Sequence, residues 1–202
     1  VTTAAGRSID LNADVGEGAG HDAELMRFIS SANIACGSHA GDDETIAATV
    51  RLARRHRVAI GAHPGHADRA HFGRRELPVT PDAAAALVID QVARLEVIAN
   101  EPPRHVKLHG GLYHQVARDP ALAEAVTAAI VKHWPSTILV APAGSVFATV
   151  ASDRGLAVAA EAFIDRAYAH DGSLVSRSEP GATIDQIQEV ATQAIRVARD
   201  GA

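Results

Sequence analysis

Short apolar runs alternate with longer helical patterns six times along this chain of 202 residues, and no other feature restricts the fold so tightly. The extended runs begin at Ile9 and continue at 31–36, 58–63, 105–109, 137–140 and 156–161. Helical patterns follow at 21–29, from Asp42-Asp43 to about 56, from Thr80-Pro81 to about 100, from Asp119-Pro120 to about 133, at about 144–152 and at about 184–199. Thr80 reads as an N-cap with Pro81 at the first helical position, and Pro102-Pro103 end that helix. Gly110-Gly111 reads as a turn, 66–78 as a polar loop, and 163–180 as a mixed loop with an extended piece at Leu174-Val175. Parallel strand neighbours need long crossovers of this kind, so the expectation is an α/β fold with a parallel sheet in one domain, 1–202. Periodicity leaves open whether the sheet closes into a barrel.

Composition narrows the functional classes. The net charge of -5 is mild, and no basic stretch suits nucleic acid. No run of about 18 apolar residues exists to span a membrane. Residues 1–7 lack the apolar core of a signal peptide. The single cysteine, Cys36, fits a reducing compartment, so a soluble cytoplasmic protein is expected.

The first strand carries the first chemical signal. Ile9, Leu11 and Ala13 face one side of an extended segment, whereas Asp10, Asn12 and Asp14 face the other. A carboxylate on a covered face is costly unless it is paired, hydrogen-bonded or bound to a metal. Further strands repeat the pattern. Their carboxyl ends bring Asp14 with Glu17, His39 with Asp42, His63, Lys107 with His109, and Glu161 with Asp165. In parallel α/β folds these ends share one face, where active sites are built. Arg74-Arg75 in the long loop suit a carboxylate or phosphate as well as a surface ion pair. Asp14, His39, His63 and His109 are acceptable metal ligands, although no pair has the spacing of a dedicated metal motif. No Walker-type phosphate loop is present.

Several segments together resemble a known family. They are Asp10-Leu-Asn-Ala-Asp-Val-Gly-Glu17, Ser31-Ala-Asn-Ile-Ala-Cys-Gly37, His39-Ala-Gly-Asp42, Ile60-Gly-Ala-His-Pro-Gly65, Phe72-Gly-Arg-Arg75, His105-Val-Lys107 with His109-Gly110, and Arg177 with Pro180-Gly-Ala182. This set is similar to the LamB/YcsF family, the A subunits of 5-oxoprolinase. The resemblance implies an irregular seven-stranded β/α barrel of the glycoside hydrolase/deacetylase type. It also implies ATP-dependent opening of 5-oxo-L-proline to L-glutamate with two other subunits. Members continue past the last helix into a strand bearing His-Gly-Asp, which this sequence lacks, so a barrel without its last strand is expected. Self-association is left open.

On this reading Asp14 is the general base or a ligand, His63 or His109 the acid, and Lys107 the stabiliser of negative charge. Asn12, Glu17, His39 and Arg74 contact substrate. Two rival readings stand beside it: a metal-dependent carbohydrate or amide deacetylase using Asp14, His39, His63 and His109, and a non-catalytic scaffold subunit.

Overall fold

The structure is a computed structural model that describes residues 9–170 and 172–200. The stretch 1–7, read above for a signal peptide, lies outside the described residues. Two compact units divide the chain: residues 10–160, and the described residues after Ala160 together with Ile9.

The larger unit alternates strand and helix in the expected order. Its elements are β1 (Asn12–Val15), α1 (Asp22–Leu25), β2 (Ser31–Ala35), α2 (Asp43–His56), β3 (Ala59–His63), α3 (Pro81–Ala99), β4 (His105–Lys107), α4 (Gly110–Arg118), α5 (Pro120–His133), β5 (Ile138–Pro142), α6 (Val146–Asp153) and β6 (Ala157–Glu161), whose last residue belongs to the other unit. The strands form one sheet in sequence order, and each pairing from β1 to β5 is parallel. Sequential order without a reversal is the winding of a β/α barrel, not of a doubly wound sheet. Among the described residues there are six strands; the seventh implied by the resemblance is not among them.

Helix boundaries follow local chemistry. Asp42 Oδ1 accepts the Thr45 N–H at 2.8 Å and opens α2; Thr80 caps α3 ahead of Pro81, and Asp119 caps α5 through the Ala121 and Leu122 N–H groups. Helices α2 and α3 lay apolar stripes on the sheet: Ile46, Val50 and Ala53 from α2, and Val88, Val92 and Leu95 from α3. Ala32, Ile34, Ala62, Val106 and Leu139, all buried, lie on the outer face of the strands. Burying one such Leu, Ile or Val side chain contributes about 1.5–3 kcal/mol. Helix α4 departs from expectation. Gly110-Gly111 starts a helix instead of making only a turn, because Leu112, Tyr113 and Val116 have an apolar face to bury.

The inner face of the same strands is polar. Register places Asp14 beside Asn33, Asn33 beside Gly61, and Gly61 beside His105, so one row crosses four strands. In a flat sheet β1 and β4 would stand about 14 Å apart, with Lys107 two residues further along its strand. Yet Lys107 Nζ lies 3.2 Å from Asp14 Oδ1. The sheet is therefore curled inward, and its concave side collects the polar residues of β1 to β4.

The smaller unit holds two isolated antiparallel bridges, Arg166 with Thr183 and Tyr168 with Leu174, and then α7 (Ile187–Asp200). Gln193 ties α7 to the carbonyls of Phe163 and Arg166 at 2.8 Å each. No described helix is long and apolar enough to cross a membrane.

Candidate functional site

Four of the five expected strand ends converge, and their side chains make one connected cluster. His63 is 1% exposed at the end of β3 and donates Nδ1–H to the Lys107 carbonyl at 2.8 Å. His109, the residue before α4, donates Nε2–H to the Phe72 carbonyl at 2.8 Å. These bonds assign the ring protons and leave His63 Nε2 facing His109 Nδ1 at 2.9 Å. Two neutral imidazoles so held would oppose lone pair to lone pair. A proton or a cation must lie between them.

Neighbouring charges favour that arrangement. Asp14 Oδ2 is 3.3 Å from His63 Nε2, and Lys107 Nζ is 3.2 Å from Asp14 Oδ1. Burial alone would lower the His63 pKa, but the Asp14 charge and hydrogen bond outweigh it and raise it. Burial alone would raise the Asp14 pKa; the charges of His63 and Lys107 hold it well below the usual carboxylate range. Both shifts favour the charged forms of Asp14 and His63. Glu17 behaves oppositely: burial and the Asp14 charge push its pKa up against the pull of His63.

Glu17 Oε1 sits 3.1 Å from His39 Nε2, 3.5 Å from His109 Nδ1 and 3.9 Å from His63 Nε2. The His39 ring stacks on His109, centroids 3.8 Å apart. Burial, then the His63 charge, brings His39 and His109 down to about 3, so both rings are neutral. A Cβ at Gly73 would come within 2.7 Å of His39 Cβ, and with φ at +63° only glycine lets the 66–78 loop close over the stack.

The donor set fits a divalent cation. Glu17, His39, His63 and His109 each offer one atom, and these lie within 4.8 Å of one another. Ligands about 2.0–2.2 Å from a tetrahedral ion would be about 3.4 Å apart. The backbone carbonyls on His63 and His109 supply the outer bonds that orient metal-binding imidazoles. His39 Nδ1 is buried with no hydrogen-bond partner among the described residues, so that ring lacks the same support there. Of the expected ligands, Glu17 replaces Asp14 in this group, because Asp14 turns toward Lys107 and His63 Nε2.

Other expected site residues divide between the cluster and the scaffold. Asn12 Oδ1 accepts from Asn33 Nδ2 at 2.7 Å and from Lys107 Nζ at 3.2 Å. The Arg74 guanidinium lies over the Phe72 ring at 5.0 Å, and its charge reaches Glu17. Arg75 is structural and makes two bonds to Asp68, at 2.8 and 2.9 Å. Asp42 is a helix cap. Glu161 and Asp165 belong to the smaller unit.

Two buried residues are additional. Asn33 Nδ2 donates to Asn12 and, at 2.9 Å, to Asp14 Oδ1; its own Oδ1 meets His105 Nε2 at 2.7 Å. A polar residue in the middle of the apolar run Ala32–Ala35 was the sequence signal for Asn33. His105 opens its strand, and only the register reveals its role.

Comparison with known proteins identifies the family and the fold. Over 196 residues the chain is 45% identical to the 5-oxoprolinase A subunit of Erwinia tasmaniensis, covering 96% of this chain and 80% of that protein. The crystal structure of a lactam utilization protein from Thermus thermophilus superposes with a TM-score of 0.89 at 42% identity, over 95% of this chain and 81% of that one. An HMG-CoA lyase from Brucella melitensis shares the fold alone, with a TM-score of 0.51 at 17% identity over 96% of this chain and 68% of that one. The family's sequence pattern matches residues 9–202, and the chain belongs to the LamB/YcsF family.

Proposed function

We propose that this chain is the A subunit of a 5-oxoprolinase that opens 5-oxo-L-proline to L-glutamate, using ATP and two partner subunits. The observation that carries the reading is the meeting of Asp14, Glu17, His63, His109 and Lys107 around one place. The names of the relatives supply the lactam substrate. The need for ATP puts the reaction in the cytoplasm.

A lactam carbonyl resists attack because the nitrogen lone pair is delocalised into it. Transfer of the ATP γ-phosphoryl group to the lactam oxygen, on a partner subunit, makes the ring carbon attackable. Water adds to that carbon and gives a proton to Glu17, the acid with the raised pKa. Asp14 stays ionised and keeps His63 charged; His63 Nε2 then gives its proton to the ring nitrogen as the C–N bond breaks. A second water hydrolyses the resulting acyl phosphate to L-glutamate and inorganic phosphate. Lys107 offsets negative charge on the reacting oxygen. Asn12 and Arg74 hold the substrate, and His39 braces Glu17. The base is thereby Glu17 instead of Asp14, whose depressed pKa makes it a weak proton acceptor.

The test is glutamate release from 5-oxoproline and ATP by this chain mixed with active partner subunits. No release refutes the proposal and favours a scaffold role. Glu17→Gln should lower turnover about 100-fold or more; unchanged turnover would return the base role to Asp14.

The donor set favours a second reading, a metal-dependent amide or carbohydrate deacetylase. Glu17, His39, His63 and His109 would hold the ion, which when bound supplies Lewis-acid activation of water. Metal analysis after zinc addition decides it: less than stoichiometric metal on the folded protein removes this reading.

A further inference from the structure

The buried pair His105 and Asn33 does no chemistry itself, yet its hydrogen bonds dictate which atoms Asn12 and Asp14 present. Asn33 lies in the middle of β2, fully buried, and its amide can be oriented in only one way. Its Nδ2 meets two acceptors, Asn12 Oδ1 at 2.7 Å and Asp14 Oδ1 at 2.9 Å. Reversed, its oxygen would face the Asp14 carboxylate. Asn33 Oδ1 must therefore point to His105, and His105 Nε2 must be the protonated nitrogen of that ring. Burial takes the His105 pKa down to about 4, consistent with a neutral ring carrying one N–H.

The constraint passes on to Asn12. Its Oδ1 receives both Asn33 Nδ2 and Lys107 Nζ, so reversing that amide would set its NH2 against two donors. The NH2 of Asn12 is left pointing away from both, and no hydrogen bond engages it among the described residues. Gly61 makes the chain possible. The His105 ring lies over it, in the space a β-carbon would fill.

We propose that His105 and Asn33 are positioning residues: they fix the Asp14 carboxylate and turn the Asn12 NH2 toward an acceptor oxygen of the bound lactam. This rests on the function proposed above. A leucine at 105 would leave Asn33 Oδ1 without a donor and allow its amide to turn. A glutamine at 105 keeps an N–H near the position of the imidazole Nε2–H.

The experiment measures kcat and KM in the complex reconstituted with partner subunits. His105→Leu and Asn33→Ala should each lower kcat about 10–100-fold, the range for lost supporting hydrogen bonds around an active group. The double variant should fall no further than the worse single one, and His105→Gln should recover to within about 3-fold of wild type, a partial loss being expected from its looser chain. Wild-type kcat in His105→Leu, an equal loss in His105→Gln, or multiplying losses in the double variant would overturn the proposal. A second readout uses the chain alone: by NMR, the Asn33 side-chain NH2 should exchange slowly in wild type and His105→Gln, and quickly in His105→Leu. Equal exchange in all three also overturns it. If the wild-type complex releases no glutamate, the functional reading fails, and the exchange measurement still decides whether His105 orders Asn33.

Discussion

Replacing Gly61 with alanine adds one methyl group to the concave face of the sheet, and its effect can be worked out from the neighbours. Gly61 has ordinary strand geometry, so alanine meets no backbone obstacle. The new β-carbon would instead overlap Nε2, Cε1 and Cδ2 of the His105 ring. Unbonded carbon atoms rest about 3.5–4.0 Å apart, so the ring must retreat by more than about 1 Å. His105 is 4% exposed and has little room to do so. Its 2.7 Å bond to Asn33 Oδ1 would stretch beyond hydrogen-bonding distance, leaving a buried acceptor unsatisfied. Overpacking costs about 1–3 kcal/mol and the orphaned acceptor about 1–3 kcal/mol, so Gly61→Ala should destabilise by about 2–6 kcal/mol. A domain near the middle of the usual range of about 5–15 kcal/mol keeps a positive stability after that loss.

Urea unfolding followed by tryptophan fluorescence measures this directly. Trp134 is the single tryptophan, buried in the same unit, with its indole N–H on Glu96 at 2.7 Å. The decisive comparison is a double-mutant cycle with His105→Ala. Once the ring is gone the methyl group has space, and Gly61→Ala should then cost less than about 0.5 kcal/mol, a coupling of about 1.5 kcal/mol or more. A cost below about 0.5 kcal/mol in the native background would refute the packing argument. So would the same cost in both backgrounds.

Acid should unfold the chain early, because His39, His105 and His109 are buried and neutral with pKa values of about 3, 4 and 3 against an ordinary 6.5. The unfolded chain takes up those protons first, so stability falls as pH drops from about 6.5 toward 4, by up to about 3 kcal/mol per ring; a flat urea midpoint across that range would contradict it. His63 has the opposite sign, since its raised pKa gives stability that is lost as pH rises through the folded value. Asp119→Ala removes the oxygen that receives two N–H groups at the start of α5 and should cost about 1 kcal/mol, read as a lower midpoint in thermal melts by circular dichroism. Asp68→Asn should loosen the 66–78 loop by weakening the paired bonds to Arg75, and limited proteolysis within that loop at the wild-type rate would argue against this.

Much of this site was legible because the ends of parallel strands share a face. Asp14, His63, Lys107 and His109 were each placed by the same rule, and the structure brings them within hydrogen-bonding distance of one another. The rule fails where a side chain serves the chain locally. Asp42 has the right charge at the right strand end, but three residues separate it from a helix N–H that it caps. Helix α4 was hidden for a related reason. Gly110-Gly111 suits a turn, and only the need to bury Leu112, Tyr113 and Val116 continues the chain as a helix.

What stayed hidden depends on register, which no single segment encodes. Asn33 and His105 are 72 positions apart, and their contact requires β2, β3 and β4 to align so that Gly61 falls between them. A shift of one residue in β3 would bring Ile60 or Ala62 into that row and set a side chain where the imidazole lies. Gly61 therefore selects the register as well as making space, since any other alignment forces His105 off Asn33. Periodicity cannot reveal this, because glycine carries neither an apolar nor a polar signal on either face. The polar inner face consequently depends on a residue without a side chain, and that is why Gly61→Ala tests the site through stability alone, before any substrate is added.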